Sequence, residues 1–227
     1  RVAALALAGE GLDAGAGLGV RWAWLNFGAV TLPVARREIA AAFARRETEP
    51  GEEGATDVAI ALGARKEWAE SLLDGCRWSL ERLARHAEAR AVTLVLPVGG
   101  SPWEVPSPRE ALALLEAFAG APLTLAWAPG RMSTLAAFGM RLTQERIDAV
   151  ARKCGAAFET DAVGVDAGYL PGLGERDERL PARPEPWPQG APIVVAGSPD
   201  ATDGEIAAAV ASVTAVYSAV SPTSASS

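Results

Sequence analysis

Three charged residues of this sequence have the types and the spacing of a catalytic group. Arg131 follows an apolar run within the segment LTLAWAPGRM, and Glu159 and Asp161 lie on or just after a second apolar run. Carboxylates at alternate positions of a strand point the same way, so one of them could act as an acid. A guanidinium nearby could hold a carboxylate or phosphate ligand. We therefore predict Glu159, Asp161 and Arg131 as catalytic residues; the alternative is that they form salt bridges at the rim of the sheet.

Further polar and aromatic residues at strand ends and in loops indicate a ligand-binding group. Aromatic faces bind carbohydrate rings well, and two tryptophans lie in loops, whereas the others are expected to pack in the core. The predicted ligand-binding residues are Asn26, Ser101, Trp103, Glu104 and Trp187.

The elements that would position these residues are apolar runs alternating with amphipathic helices. Most of the runs are continuous, as expected for parallel strands that are buried on both faces. Repeated strand–helix units imply a parallel sheet with right-handed crossovers. The predicted strands are 2–8, 20–27, 57–63, 92–98, 123–128, 156–162 and 192–197. They predict an α/β fold, a TIM (β/α)8-type barrel. Seven strands are recognisable where a complete barrel has eight, so complete and incomplete barrels are both left open.

Helix signals are local and specific. Ser107, Pro108 and Glu110 form a capping box with proline at the first helical position, and Thr202 and Glu205 form a second one. A helix over 144–154 is expected to start at Thr143 and to stop at Gly155. The last helix is expected to bury Ile206, Val210, Val213 and Val220.

Two stretches are predicted as loops, and the chain is predicted to be one domain. The segment 45–56 is charged and glycine-rich, and 164–192 is long and proline-rich, which is typical of lids and binding segments. The domain is expected to span 1–220, followed by a flexible tail over 221–227.

Composition narrows the classes of partner. The net charge is −7 and the pI is near 4.9, which argues against nucleic acid and against anionic membrane surfaces. The apolar runs are too short to span a membrane. The two cysteines, Cys76 and Cys154, lie at apolar positions of predicted helices, do not form a disulfide framework or a zinc motif, and suit a reducing cytoplasm.

The middle of the chain resembles the sugar phosphate isomerase/epimerase superfamily, the xylose-isomerase-like TIM barrels. The similarity runs through SLERLARHAEARAVTLVLPVGGSPWEVPSPREALALLEAF, LTLAWAPGRM, AAFETDAVG, LPGLGERD and APIVVAGSPDATDGEIAAAV. On this resemblance residues 1–8 correspond to the second barrel strand. The resemblance implies a divalent metal held by acidic and histidine ligands at strand ends, with sugars or polyols as substrates.

The positions that match the metal ligands of that family carry other residues. Pro97 stands at the first Glu position, Ala128 and Arg131 stand at the Asp and His of Asp-Thr-Gly-His, and Ala196 stands at or next to the final Glu. A hard cation needs several oxygen or imidazole ligands converging on one point, which proline and alanine do not supply. The only histidine, His86, lies within a helix before the 92–98 strand. We therefore expect no metal and no cofactor.

Three functions follow as hypotheses. The first is a barrel without the family's metal-dependent catalysis that binds a small sugar-like or anionic ligand or a partner protein. The second is an isomerase, epimerase or lyase that uses a metal-independent site of Glu159, Asp161 and Arg131. The third is an incomplete barrel whose strand edges pair with another chain, for example as a homodimer.

Overall fold

A computed structural model of the chain describes residues 2–25, 33–48, 52–138, 140–159, 161–163, 166–169, 178–180, 183–185, 187–188, 190–196 and 200–218. For residues 2–7, 33–36, 46–48, 52–55, 161–163, 166–169 and 218, only the backbone is described. The predicted ligand-binding residue Asn26 and the predicted tail 221–227 lie outside the described residues. No helix in the described part of the chain is both long enough and apolar enough to cross a membrane.

The chain divides into two units, Arg1–Ala126 and Trp127–Ser227. The elements of the first unit are α1 Val2–Gly17, β1 Trp22–Trp24, α2 Pro33–Thr48, α3 Glu52–Ala89, β2 Thr93–Leu96, α4 Pro108–Ala117 and β3 Leu123–Trp127, whose last residue opens the second unit. Those of the second unit are α5 Pro129–Ala137, α6 Gln144–Ala151, β4 Cys154–Glu159, β5 Asp161–Val163, β6 Asp166–Tyr169, β7 Ile193–Val195 and α7 Asp203–Ser218.

The first unit is built on three parallel strands. β1 pairs with β2 in the register Trp22↔Thr93, and β2 pairs with β3 in the register Leu94↔Leu123. The central strand β2 has the sequence TLVL and is buried on both faces, as its continuous apolar run predicts. α1 packs on α3 and β2 packs on α3, around a core of Leu12, Leu83, Ala84, Ala87, Val92 and Leu94.

The second unit contains two parallel strands and a short antiparallel pair. β4 pairs with β7 in the register Glu159↔Val195, and β5 pairs with β6 in the opposite sense. α5 contacts β4, β5 and β6, and α7 contacts β7. In the described part of the chain, five strands are therefore parallel and are interspersed with helices, which is the arrangement of a partial α/β barrel. The α/β class and the barrel-type fold predicted from the sequence are confirmed.

Two predicted strands are helical, and these predictions were wrong. Residues 2–8 belong to α1 and residues 57–63 belong to α3. Both runs are rich in alanine, which has the highest helix propensity, and neither alternates in polarity. In α3 the buried positions Val58, Arg65 and Ala69 recur with helical spacing, whereas Ile60 is exposed.

The predicted loop over 45–56 is also corrected. α2 continues to Thr48 and α3 already begins at Glu52, so only 49–51 lie outside the described residues. Arg45 and Asp57 form an ion pair of 2.8 Å between the two helices. The predicted loop 164–192 contains the strand β6.

Both capping boxes are confirmed. The Glu110 amide donates to the Ser107 hydroxyl and the Ser107 amide donates to the Glu110 carboxylate, at 3.4 and 2.7 Å. The Glu205 amide donates to the Thr202 hydroxyl over 3.3 Å, and the Thr202 amide donates to the Glu205 carboxylate over 2.8 Å. Hydrogen bonds from the Thr202 hydroxyl and from the Thr202 amide to the Glu205 carboxylate hold the pKa of the exposed Glu205 below its ordinary value.

The helix predicted over 144–154 is shorter than expected. α6 begins after Thr143, whose side chain makes no capping hydrogen bond, and it ends at Ala151. Cys154 therefore opens the strand β4 instead of closing a helix, and Gly155 is a strand residue. Cys154 is nevertheless buried as predicted, and desolvation raises the pKa of its thiol. Burial and the negative charge of Glu110 raise the pKa of Cys76, in α3, to about 11.

The buried face of α7 agrees with the predicted one only in part. Val213 is buried as predicted, whereas Ile206 and Val210 are more than 40 % exposed, and Val220 lies outside the described residues. Ala209 is buried instead. The helix therefore approaches its neighbours with a face that carries alanine, because small side chains allow closer contact than the predicted row of larger residues.

Candidate functional site

The predicted site residues fall in both units, so each group is described within its own unit. Ser101, Trp103 and Glu104 belong to the first unit, in the loop 97–107 between β2 and α4. Arg131, Glu159, Asp161 and Trp187 belong to the second unit.

The loop between β2 and α4 is held in shape by a buried arginine that sequence reasoning did not identify. Arg65 of α3 is 8 % exposed. Its guanidinium donates to the Pro102 carbonyl over 2.5 Å, to the Glu104 carbonyl over 2.6 Å, and to both carboxylate oxygens of Glu110 over 2.6 and 3.0 Å. Arg65 thus ties a helix, a loop and the first turn of the next helix together.

Glu104, predicted to bind a ligand, has its carboxylate turned back to its own loop. The amides of Gly100 and Ser101 both donate to Glu104 Oε2, the latter over 3.1 Å. This contact gives Glu104 a role in the loop's shape, and its role in ligand binding stays a prediction.

Ser101 and Trp103, which are also predicted to bind a ligand, lie in the same loop. Ser101 Oγ is buried and has no hydrogen-bond partner among the described residues. Since buried hydroxyls are nearly always hydrogen-bonded, a water or a ligand group is expected there. Trp103 is half-buried within the loop.

Gly99 is the residue of this loop that least tolerates a side chain. A Cβ atom at Gly99 would lie 2.8 Å from the Cβ of Glu104 and 3.1 Å from the Pro106 carbonyl oxygen. We expect Gly99→Ala to destabilise the protein by about 2 kcal/mol, because a rigid loop must shift to admit the methyl group. Urea denaturation checks this value, with Gly63→Ala as the control, since a Cβ there meets no atom within 4 Å. Equal stability of the two variants would contradict the expected crowding.

The carboxyl end of β4 carries a buried carboxylate that contacts the end of α7. Glu159 is 2 % exposed, and the Tyr217 hydroxyl donates to Glu159 Oε1 over 2.5 Å. The Trp187 ring meets the Tyr217 ring edge to face, with centroids 4.9 Å apart at 71°. The Arg183 guanidinium lies beside the Tyr217 carbonyl oxygen, at 3.5 Å from Nη1. We call Glu159, Tyr217, Trp187 and Arg183 the Tyr217 cluster.

Arg131 contacts the same strand at its other face. It lies in the first turn of α5, and its Cζ atom is 5.5 Å from the centre of the Phe158 ring. Successive strand residues point to opposite faces, so the contacts of Arg131 with Phe158 and of Tyr217 with Glu159 lie on opposite faces of β4. The backbone of Asp161 opens β5, and its side chain lies outside the described part. A joint catalytic role for Glu159, Asp161 and Arg131 stays a prediction.

The positions matched to metal ligands can be tested for fit. Ala128 is fully buried and is the residue before α5, where no side chain caps the helix. Pro97 and Ala196 follow β2 and β7, and their side chains have no metal-binding atoms. Within the described residues, no group of three or more His, Cys, Asp or Glu side chains could hold a metal ion. These residues do not fit the metal that the resemblance implies.

His86 lies in α3 as predicted, away from the strand ends. Its Nε2 is 2.9 Å from the Asp13 carboxylate, which also pairs with Arg90 over 2.8 Å. The histidine is therefore part of a half-exposed contact between α1 and α3.

The comparison with solved structures decides the fold. A structure described as a xylose isomerase domain protein from Planctomyces limnophilus matches 97 % of this chain with a TM-score of 0.52 and 16 % identity. The chain has the xylose-isomerase-like fold. It spans 66 % of the length of that protein. The fold is thus the one expected from the resemblance.

Two sugar epimerase structures match a smaller part of the chain. A D-allulose 3-epimerase from Methylomonas sp. matches 62 % of this chain and 48 % of its own length, with a TM-score of 0.40 and 17 % identity. An L-ribulose 3-epimerase matches 62 % of this chain and 46 % of its own length, with a TM-score of 0.42 and 19 % identity. No protein-family model and no curated protein matches the chain.

Proposed function

We propose that this xylose-isomerase-like chain binds a small sugar-like or anionic ligand and does so without the metal-dependent catalysis that the resemblance implies. The observation that carries the proposal is the donor set at the strand ends. Three of the matched positions have side chains without metal-binding atoms, Pro97, Ala128 and Ala196, and the fourth is Arg131, whose positive charge would repel a cation.

The start of α5 supports the same conclusion. Aspartate is among the preferred residues before the first turn of a helix, whereas alanine is among the poorest. Ala128 occupies this position and has no capping side chain. An aspartate here would supply carboxylate oxygens, which can cap the helix or bind a metal. The strand β3 and the helix α5 are both present, but Ala128 between them has no side-chain atom that could bind a metal.

The metal-independent isomerase or epimerase remains the second candidate. The contact between Glu159 and Tyr217 favours it, because a buried carboxylate beside a hydroxyl group can accept or return a proton. In this candidate Glu159 and Tyr217 form the proton-transfer pair, and the predicted roles of Asp161 and Arg131 beside them stay predictions. A cytoplasmic location and a homodimer are retained as proposals.

Metal titration tests the proposed function. We expect isothermal titration of protein purified without chelators to show no stoichiometric binding of Mn²⁺, Co²⁺ or Mg²⁺, because the matched positions offer no converging ligands. A metal-dependent sugar isomerase in the same buffer serves as the positive control. One equivalent of metal bound at micromolar affinity would overturn the proposal.

A further inference from the structure

Arg183 is a buried cation with weak partners. The residue is 9 % exposed, yet its Nη1 donates to the Tyr217 carbonyl oxygen at 3.5 Å, and its Nη2 lies 3.9 Å from the Glu185 carboxylate. Among the described residues these are its polar contacts. The first is at the outer limit of a hydrogen bond and the second is beyond it.

Such an arrangement is unusual for an arginine. A buried guanidinium normally makes several charge-assisted hydrogen bonds of about 2.7–2.9 Å, because burial without them costs several kcal/mol. Arg65 in the first unit shows the ordinary case, with four short hydrogen bonds. Arg183 therefore holds donor capacity that the described residues around it do not use.

The geometry points to an anion site: we propose that Arg183 binds an oxyanion, the phosphate or carboxylate group of the small ligand. A planar guanidinium presents parallel N–H groups that suit both oxyanions. The proposal rests on the proposed ligand-binding function and adds the residue that recognises the charge, in place of the Arg131 predicted from the sequence.

Glu185 marks the side from which the anion arrives. Its side chain is 69 % exposed, and its carboxylate faces Arg183 from beyond hydrogen-bond distance. A bound oxyanion would take the place of this weak intramolecular partner, and Glu185 would turn towards solvent. The Tyr217 carbonyl oxygen lies 3.5 Å from Arg183 Nη1, and the Tyr217 ring contacts Trp187, so we propose that the uncharged part of the ligand meets these two rings.

Inorganic phosphate and acetate are the probes that test the site. We expect a saturable rise of the melting temperature with one of them, measured against sodium chloride of equal ionic strength. A response to phosphate identifies a phosphate ligand, and a response to acetate identifies a carboxylate ligand. A response to neither probe overturns the anion site.

Two substitutions test whether the responding probe binds at Arg183. Arg183→Gln should weaken binding of the responding probe at least tenfold, as expected for loss of charge-assisted hydrogen bonds. Arg152→Gln, which makes the same change of charge at an exposed position of the same unit, should leave it unchanged. An unaltered affinity in folded Arg183→Gln would overturn the assignment.

Glu185→Gln provides a second test of the anion site, which applies even if Arg183→Gln does not fold. Removing a negative charge 3.9 Å from the guanidinium should tighten binding about threefold, because the competing carboxylate is gone. An unchanged or weaker affinity would overturn the proposal. Metal titration reports on the proposed function separately, so a chain that binds neither metal nor oxyanion loses only the anion site.

Discussion

Replacing Arg65 by methionine is expected to lower the free energy of unfolding by about 3 kcal/mol or more, a large part of the stability of a domain of this size. Methionine fills much of the arginine volume but cannot donate, so the Glu110 carboxylate loses two hydrogen bonds and the carbonyls of Pro102 and Glu104 lose one each. Leaving one member of a buried ion pair without its partner costs far more than an exposed pair contributes.

An exposed arginine of the same helix provides the control for Arg65. Arg77 pairs with Asp74 one turn away, and both side chains are at least half exposed. Arg77→Met should therefore cost about 0.5 kcal/mol or less. Chemical denaturation followed by circular dichroism measures both variants. A loss at Arg65 no larger than that at Arg77 would contradict the network's role.

Replacing both partners of the pair provides a second check. Arg65→Met combined with Glu110→Leu removes the unpaired charge and should recover part of the lost stability, as apolar replacements of buried ion pairs often do. A double variant less stable than Arg65→Met would show that the capping role of Glu110 outweighs its charge.

The pH profile of the Arg65–Glu110 pair follows from the titration of the carboxyl group. Burial alone would raise the pKa of Glu110, but hydrogen bonds from Arg65 and Ser107 and the charge of Arg65 outweigh it, so the pKa lies below its ordinary value. A lowered pKa in the folded state contributes stability that is complete above the pKa of the unfolded chain and is lost as the pH falls through the folded value. The stability difference between wild type and Glu110→Gln should thus stay constant from pH 8 to 6 and shrink below about pH 4.

The contacts of Arg65 show why part of the site escapes sequence reasoning. The capping box at Ser107 could be predicted because its partners are three residues apart and the motif is local. The partners of Arg65 lie 37 to 45 residues away, and Arg65 itself lies just after the run 57–63 that the sequence predicts as a strand. A lone arginine in an alanine-rich run does not indicate which loop it will bind.

The difference between local and tertiary information also separates the strands that were predicted correctly from the two that were not. The runs at 92–98 and 123–128 contain β-branched and aromatic residues and follow helices with clear ends, and they form β2 and β3. The runs at 2–8 and 57–63 are mixtures of alanine with aliphatic residues, which suit a buried helix as well as a buried strand. Packing of α1 on α3 decides between the two, and that packing is a tertiary property.

Glu159 itself was predicted as a functional residue, but its partner was not. Tyr217 lies 58 residues further along the chain, in a helix whose predicted inner face is Ile206, Val210, Val213 and Val220. The observed inner positions include Ala209 and Val213, and continuing that row by four residues reaches Tyr217. The helical spacing could have identified Tyr217 once the alanine face was chosen.

Tyr217→Phe is expected to cost about 2 kcal/mol, because the carboxylate of Glu159 is 2 % exposed and loses a hydrogen bond that water cannot readily replace. Phenylalanine keeps the ring, so the edge-to-face contact with Trp187 is retained and the change isolates the hydroxyl group. Glu159→Gln should cost less, because the amide oxygen can still accept the hydrogen bond. The double variant should then reveal a coupling energy of about 1 kcal/mol or more, as is usual for residues in direct contact.

Thr214→Ala on the same helix is the control for this cycle. The exposed Thr214 hydroxyl donates to the Val210 carbonyl of its own helix, so a change below about 0.5 kcal/mol is expected. A coupling energy within error of zero would mean that Tyr217 and Glu159 do not stabilise each other. A clear coupling would establish that the end of α7 is held against the carboxyl end of β4.

The same contact places the Tyr217 carbonyl beside Arg183. If Tyr217→Phe loses phosphate or acetate binding, the buried carboxylate of Glu159 is a positioning residue for the anion site. Retained binding with a clear coupling would assign Glu159 to the stability of the fold alone.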